Sequence, residues 1–362
     1  MRYVEIDKIS KGMLMGRNIY NESCQLVLRE NSILTEHMIS RLRTQGYQGL
    51  YISDEISKDI VIREQISQEL KNRTKKSIKA LFDSKGKKLS SKIANNISAA
   101  AREICDEIIE NKQLLGNMIE LKTYDDYTYS HSLNVGVVST FIGEEMGLNR
   151  EQLYQLALAG MLHDIGKEFI PIEIINKTDK LETEEWKKVQ SHPELGYHFI
   201  RKNFNYPATV YVAILMHHEN YNGTGYPGGK EGEEISLFGR IIRVADTFDA
   251  LTSTRSYRKA YASNEAVEYI MAESGTLFDP NVVEAFIRKT AIYPVGTEVR
   301  LSTGEKAIVM KNYEKLPLRP KVLLEDEGKV LNLKKDRKYL SVTIEQEQCE
   351  EVKPDEEFLT DL

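Results

Sequence analysis

The chain has 362 residues, more than one hydrophobic core usually organises, so two or three domains are expected. Its 49 basic and 55 acidic residues leave a net charge of -6, which excludes a global attraction to nucleic acid or anionic lipid and leaves any polyanionic ligand to a local pocket. Three scattered cysteines, Cys24, Cys105 and Cys349, make no Cys-x-x-Cys pair and point to a reducing compartment without disulfides.

In chain order, the N-terminus Met1-Arg2-Tyr3-Val4-Glu5-Ile6-Asp7 lacks the basic-then-apolar pattern of a signal peptide, and no run of about 18 apolar residues follows anywhere. A cytoplasmic protein without membrane insertion is expected. Residues 1–54 alternate short strand-like runs with a helical stretch around Glu36 to Gln45, the pattern of a small α+β module. It holds one histidine, His37, and no acid-base cluster, so regulation through a signalling partner is expected of it rather than chemistry. Residues 55–122 are proline-free, with apolar residues at helical spacing (Ile93, Ile97, Ala100, Ile104, Ile108), and read as a helical linker that could pair two copies into a homodimer. Nine basic residues between Lys71 and Lys92 have almost no interleaved aromatics and read as a solvated surface, so no nucleic-acid polymer is expected as a partner. Residues 123–291 are mostly helical and carry every chemical motif. Residues 292–349 turn to short, evenly spaced strands, as in a small β-barrel or sandwich, and residues 350–362 form an acidic tail.

Six of the seven histidines fall between His131 and His218. His163-Asp164 ends an apolar helical run, His217-His218 ends another, and His131, His192 and Asp246 complete a set of imidazoles and carboxylates that would leave many donors unsatisfied if buried without a cation. Neighbouring helical residues project about 100° apart, so each pair can serve adjacent ions or share one, and a carboxylate between two ions can bridge them. Lys167, three residues after Asp164, faces such a centre favourably only with an anion between them, which suggests a bound phosphate. His37 and His198 sit in no motif and read as ordinary residues.

Five strings resemble the HD-GYP family of bacterial phosphodiesterases: His131-Ser132-Leu133-Asn134-Val135; His163-Asp164-Ile165-Gly166-Lys167; His192-Pro193-Glu194-Leu195-Gly196; His217-His218-Glu219 through Gly225-Tyr226-Pro227; and Ala245-Asp246-Thr247-Phe248-Asp249-Ala250-Leu251-Thr252-Ser253. The resemblance covers slightly under half the chain. It implies a mainly α, multi-domain protein whose all-helical HD-type catalytic domain is flanked by the N-terminal α+β module and a C-terminal β-barrel-like module. It implies hydrolysis of cyclic di-GMP, to linear pGpG or GMP, by attack of a metal-bridging hydroxide. By motif position, His131, His163, Asp164 and Asp246 would hold one divalent ion, and Asp164 would bridge to a second held by His192, His217 and His218. Iron or manganese suits this donor set, with zinc, nickel and cobalt as alternatives. Lys167, Tyr226, Arg255 and Arg258 would contact substrate, and Asp249 or a water would protonate the leaving oxygen. Some members take a third ion through a glutamate four residues before the first histidine; Tyr127 stands there, so two ions are expected. Two other readings remain: hydrolysis of another cyclic dinucleotide or a nucleotide phosphate, and a non-catalytic cyclic di-GMP receptor.

Overall fold

The computed structural model describes residues 1–21, 25–84, 91–112, 127–177, 179–253, 260–314 and 316–345. Arg255, Arg258, Lys85, Lys87, Lys88 and the acidic tail lie outside the described residues, as does the side chain of Tyr127. The chain divides into two compact units that do not follow sequence order: one joins residues 1–64 to the C-terminal strands, the other holds residues 65–112 and 127–286.

In the first unit, β1 (Arg2–Glu5), β2 (Leu14–Met15), β3 (Ile19–Tyr20), β4 (Leu26–Leu28), α1 (Glu36–Thr44) and β5 (Gly49–Ser53) form the N-terminal α+β part. The central strand β5 pairs antiparallel with β1 and β2, while β3 and β4 make a separate ribbon. Thr35 caps α1 by accepting from the Met38 amide, so that Ile39 and Leu42 of the helix and Leu50 and Ile52 of β5 share one core. The same unit contains β6 (Glu298–Leu301), β7 (Lys306–Lys311), β8 (Lys321–Leu324), β9 (Val330–Asn332) and β10 (Ile344–Glu345), an antiparallel sheet in the order β10-β6-β7-β8-β9. Its outer strands β9 and β10 are not paired with each other among the described residues, so the sheet is open where a barrel-like module was expected. Sequence reading separates the two sheets, but they share an apolar cluster: Tyr51, Ile60 and Ile62 pack with Ile308 and Leu323, and Arg2 is paired with both Asp54 and Glu325.

The second unit is built of α2 (Gln68–Phe82), α3 (Ser91–Glu110), α4 (Tyr127–Glu145), α5 (Arg150–Leu162), α6 (Ile172–Ile175), α7 (Thr183–Val189), α8 (His192–Asn203), α9 (Ala208–Met216), α10 (Leu237–Thr252), α11 (Ser263–Ala272) and α12 (Pro280–Lys289), whose last residues cross into the first unit. Residues 65–112 of the segment expected as a linker are part of this body. Glu107 of α3 accepts from the Ser67 hydroxyl at α2's start, Asp106 receives both arms of Arg150 from α5, and Leu70, Ile78, Ile97 and Ile104 are buried. The centre of the unit is the crossing of α4 and α5. A Cβ on Gly160 would come within 2.8 Å of the Gly136 Cα, so these glycines let the two backbones approach and bring the start of α4 to the end of α5.

Candidate metal centre

Each expected ligand stands at a helix end or on a face fixed by its neighbours. A capping box, with Asn149 and Gln152 each satisfying the other's backbone, starts α5, whose apolar run then carries His163 to its C-terminal edge. Asp164 follows directly and opens a 3-10 turn, Ile165–Phe169. A Cβ on Gly166 would lie 1.9 Å from the His192 carbonyl, so only glycine lets this turn lie against the start of α8, where His192 is the first residue. His217 caps the C-terminus of α9 and His218 follows it. Asp246 and Asp249 lie one turn apart on α10, which the Ser236 hydroxyl starts by accepting from the Gly239 amide.

These elements converge. The side chains of His131, His163, Asp164, His192, His217, His218 and Asp246 are all buried in one place. Donor atoms of His131, His163 and Asp164 lie within 4.8 Å of one another, and so do those of Asp164, His192, His217 and His218. Asp164 belongs to both groups and divides its oxygens between them. Oδ2 is 3.6 Å from His131 Nε2 and 3.4 Å from His163 Nε2, while Oδ1 is 3.3 Å from His192 Nε2 and 4.0 Å from His217 Nε2. Asp246 joins the first group, its Oδ1 3.1 Å from His131 Nε2 and 3.7 Å from His163 Nε2.

The outer edges of the rings decide which nitrogen faces the centre. His163 Nδ1 donates to the Gly160 carbonyl at 2.7 Å, His192 Nδ1 to Val189 at 2.8 Å and His217 Nδ1 to Ile214 at 2.6 Å. His131 Nδ1 donates to Asp249 Oδ2 at 2.8 Å. As neutral imidazoles, all four therefore turn a bare Nε2 lone pair inward. The consequence is two lone-pair-to-lone-pair contacts: His131 Nε2 to His163 Nε2 at 3.3 Å, and His192 Nε2 to His217 Nε2 at 3.1 Å. Asp164 Oδ1 and His218 Nδ1 are likewise buried with no hydrogen-bond partner. Bare acceptors crowded together without donors are costly, and a cation in each group removes that cost. Nitrogen and oxygen donors whose far edges are held by backbone or carboxylate are the arrangement that binds divalent metal ions.

Protonation follows the same logic. Burial pushes the pKa of His192 down, with help from Lys167, to about 4, and burial holds His217 and His218 well below the usual histidine range, so these rings are neutral, metal-ready bases at neutral pH. Burial alone would raise Asp164 and Asp246; the charge that neighbouring rings carry whenever they hold a proton, with the Lys167 ammonium for Asp164, outweighs it and keeps both carboxyls well below their ordinary value.

The structure also redistributes some expected roles. Lys167 does not wait for a phosphate: its Nζ is 2.8 Å from Asp164 Oδ2, while the side chain remains partly exposed. Tyr226 sits at the centre, its ring stacked on His218 with centroids 4.7 Å apart. Asp249, expected as an acid for the leaving oxygen, is instead buried behind His131. Its Oδ2 accepts from His131 Nδ1 and its Oδ1 from Asn134 Nδ2 at 2.8 Å, so both oxygens are engaged and one of them fixes how the His131 ring is turned. Asn134 was missed, although its place three residues after His131 on one helix face was a usable signal. So was Glu219, whose buried carboxylate accepts from the Gly228 and Lys230 amides and folds the loop bearing Tyr226. His198 is exposed on α8 beside Tyr197, and His37 is exposed on α1; neither joins the centre.

A family model described as HD domain matches residues 86–282. Over 229 residues the chain is 38% identical to a cyclic di-GMP phosphodiesterase of Pseudomonas aeruginosa, an alignment covering 62% of this chain and 55% of that protein. It is 36% identical over 200 residues to the cyclic di-GMP phosphodiesterase response regulator RpfG of Xanthomonas campestris, covering 55% and 52%. It is 29% identical over 256 residues to the 3'3'-cGAMP-specific phosphodiesterase 2 of Vibrio cholerae, covering 70% and 48%. The chain thus spans about half the length of these curated relatives. In fold it is similar to the HDG"Y"P protein Bd1817 of Bdellovibrio bacteriovorus, with a TM-score of 0.50, 18% identity, and coverage of 78% of this chain and 97% of the other.

Proposed function

The chain belongs to the HD domain family, and on that premise we propose that it is a metal-dependent phosphodiesterase of the HD-GYP type that hydrolyses cyclic di-GMP to pGpG or GMP. One observation carries the reading: two groups of closely set histidine nitrogens share the single carboxylate of Asp164, whose Oδ1 is buried without a hydrogen-bond partner. On this proposal His131, His163, Asp164 and Asp246 hold one divalent ion, and Asp164 with His192, His217 and His218 hold the other. Such a pair supplies a water of lowered pKa and positive charge against phosphate oxygens. The chain's own groups do the rest. Asp164 fixes the spacing of the two groups, and Asp249 keeps the His131 ring turned with Nε2 inward. Lys167 puts an ammonium at the partly exposed edge, where it can meet a phosphodiester anion without leaving Asp164. Tyr226 offers a ring against which a base can stack. Arg255 and Arg258 remain proposed substrate contacts on the motif resemblance alone. Iron or manganese is the proposed metal.

The same resemblance supports catalysis by residues 123–291, and the position of α2 and α3 adds residues 65–112 to that unit. A signalling partner for the N-terminal module stays part of the proposal. A homodimer stays a proposal without a named interface, because the apolar faces of α2 and α3 that suggested it are buried within their own unit. No helix among the described residues is long and apolar enough to cross a membrane.

A second substrate has a specific observation behind it: the Vibrio relative named for 3'3'-cGAMP aligns with 70% of this chain. Protein purified without air, counted for metal, and offered cyclic di-GMP, 3'3'-cGAMP and nucleoside monophosphates in parallel separates the readings by product chromatography. Fastest turnover of cyclic di-GMP is expected. Faster turnover of 3'3'-cGAMP moves the substrate, and tight binding without turnover in metal-loaded protein makes the chain a receptor and ends the enzymatic proposal.

A further inference from the structure

Arg243 is buried on α10, one turn before Asp246. A guanidinium keeps its charge at any physiological pH, so its burial calls for specific recognition. Its Nε and Nη2 both donate to Asn220 Oδ1, at 3.1 and 2.9 Å, and its Cζ lies over the Phe278 ring, 5.9 Å from the centroid. Two donors on one carbonyl oxygen fix which way the Asn220 amide points. Its Nδ2 then donates to Thr224 Oγ1 at 3.1 Å, and the Thr224 hydroxyl donates to Asn222 Oδ1 at 2.7 Å.

This chain of bonds runs through the loop that ends in Tyr226. The loop has little slack: a Cβ on Gly225 would lie 2.2 Å from the Asn220 nitrogen and 2.4 Å from the His218 carbonyl, and the Tyr226 amide donates to that carbonyl at 3.1 Å. The outer side of the loop is tied by the Tyr221 and Asn222 amides to the Leu277 and Thr276 carbonyls, next to Phe278 beneath the guanidinium. One side chain thus reaches from the helix carrying Asp246 to the loop carrying Tyr226.

We infer that Arg243 is a positioning residue for the reaction: through Asn220 it locks the 219–230 loop so that the Tyr226 ring stays stacked on His218. A lysine in its place keeps the charge but lacks the two fixed donors, so the lock needs the forked group. The catalytic consequence rests on the phosphodiesterase proposal; the mechanical one does not.

The test compares Arg243→Lys, Arg243→Ala and Asn220→Ala with the parent protein by metal counting, by hydrogen exchange of the 219–230 amides, and by steady-state hydrolysis of cyclic di-GMP. Metal content is expected to stay at the parental level in Arg243→Lys while loop exchange accelerates and KM rises by about tenfold, with kcat changed less. Asn220→Ala, which leaves the guanidinium in place, is expected to reproduce the same changes, and the double variant to be no worse than the worse single one. Asn220→Ala also keeps the test open should Arg243→Ala fail to fold. Parental loop exchange in both Arg243→Lys and Asn220→Ala would overturn the inference, as would loss of metal with the loop unchanged. If the parent itself leaves cyclic di-GMP intact, the proposed substrate fails while loop exchange still decides the role of Arg243.

Discussion

The two units bury different kinds of side chain. Among the described residues, the strand-based unit buries only Ser57, Lys289 and Thr290 of the polar and charged types, beneath a core of Leu, Ile and Val. The helical unit buries five histidines of the centre together with Asp164, Asp246, Asp249, Glu219 and Arg243. Apolar burial stabilises in proportion to area, whereas polar burial costs free energy unless every group finds a partner. The first unit is therefore built for stability in its own right, and the second carries a deficit that the two proposed cations would offset.

That contrast can be broken from either side. The largest expected effect is on the apolar side: Ile308→Ala, in the cluster shared by the two sheets, should destabilise the strand-based unit by about 2–5 kcal/mol in denaturant titration. Metal content should not change, and a loss of metal in that variant would dissolve the distinction. On the polar side, Asp249→Asn leaves packing intact but weakens the acceptor for His131 Nδ1, and about a 10–100-fold loss of metal affinity is expected by calorimetry. Unchanged affinity, with turnover alone reduced, would restore Asp249 as a proton donor.

Acid supplies the next test. His192 is pushed down to about 4 in the fold, against 6.5 for an ordinary histidine. Between those values the unfolded chain binds a proton that the folded chain does not, so this contribution is complete above about pH 6.5, declines as pH falls, and levels off near 4. His217 and His218 act in the same direction, as do Asp164 and Asp246, whose depressed values favour the fold until acid protonates them. Metal-free protein should show a lower unfolding midpoint for its helical unit at pH 5 than at pH 7; a rise on acidification would contradict the neutral, buried state of the rings. The smallest effect concerns Cys105, whose thiol burial pushes up to about 12. In a Cys24→Ser/Cys349→Ser background, maleimide should label it at neutral pH only after unfolding.

How much of this was legible in sequence depended on where the information lay. The seven converging side chains stood in short strings, five of them at helix ends, and the placing of those five could be read because the apolar runs before His163 and His217 dictate where those helices stop and Pro193 marks where α8 starts. The close approaches that assemble them could not. Nothing local marks Gly166 as lying against the His192 carbonyl, or Gly160 against Gly136, because such contacts exist only once distant segments meet. The partners of Asp249 were hidden for the same reason: its spacing from Asp246 places it near the centre, but only the tertiary structure puts His131 and Asn134 in front of its oxygens. The union of the first 64 residues with the C-terminal sheet was also hidden, since residues such as Ile60 and Ile308 carry no mark of pairing across the chain.

The central claim is that Asp164 is shared by two cation sites. Metal counting by mass spectrometry on protein prepared without air, beside Asp164→Ala prepared identically, addresses it most directly. Two divalent ions per parent chain are expected, with loss of tight binding at both sites and of hydrolysis in the variant. A parent with one ion or none, or a variant that keeps both, would contradict it.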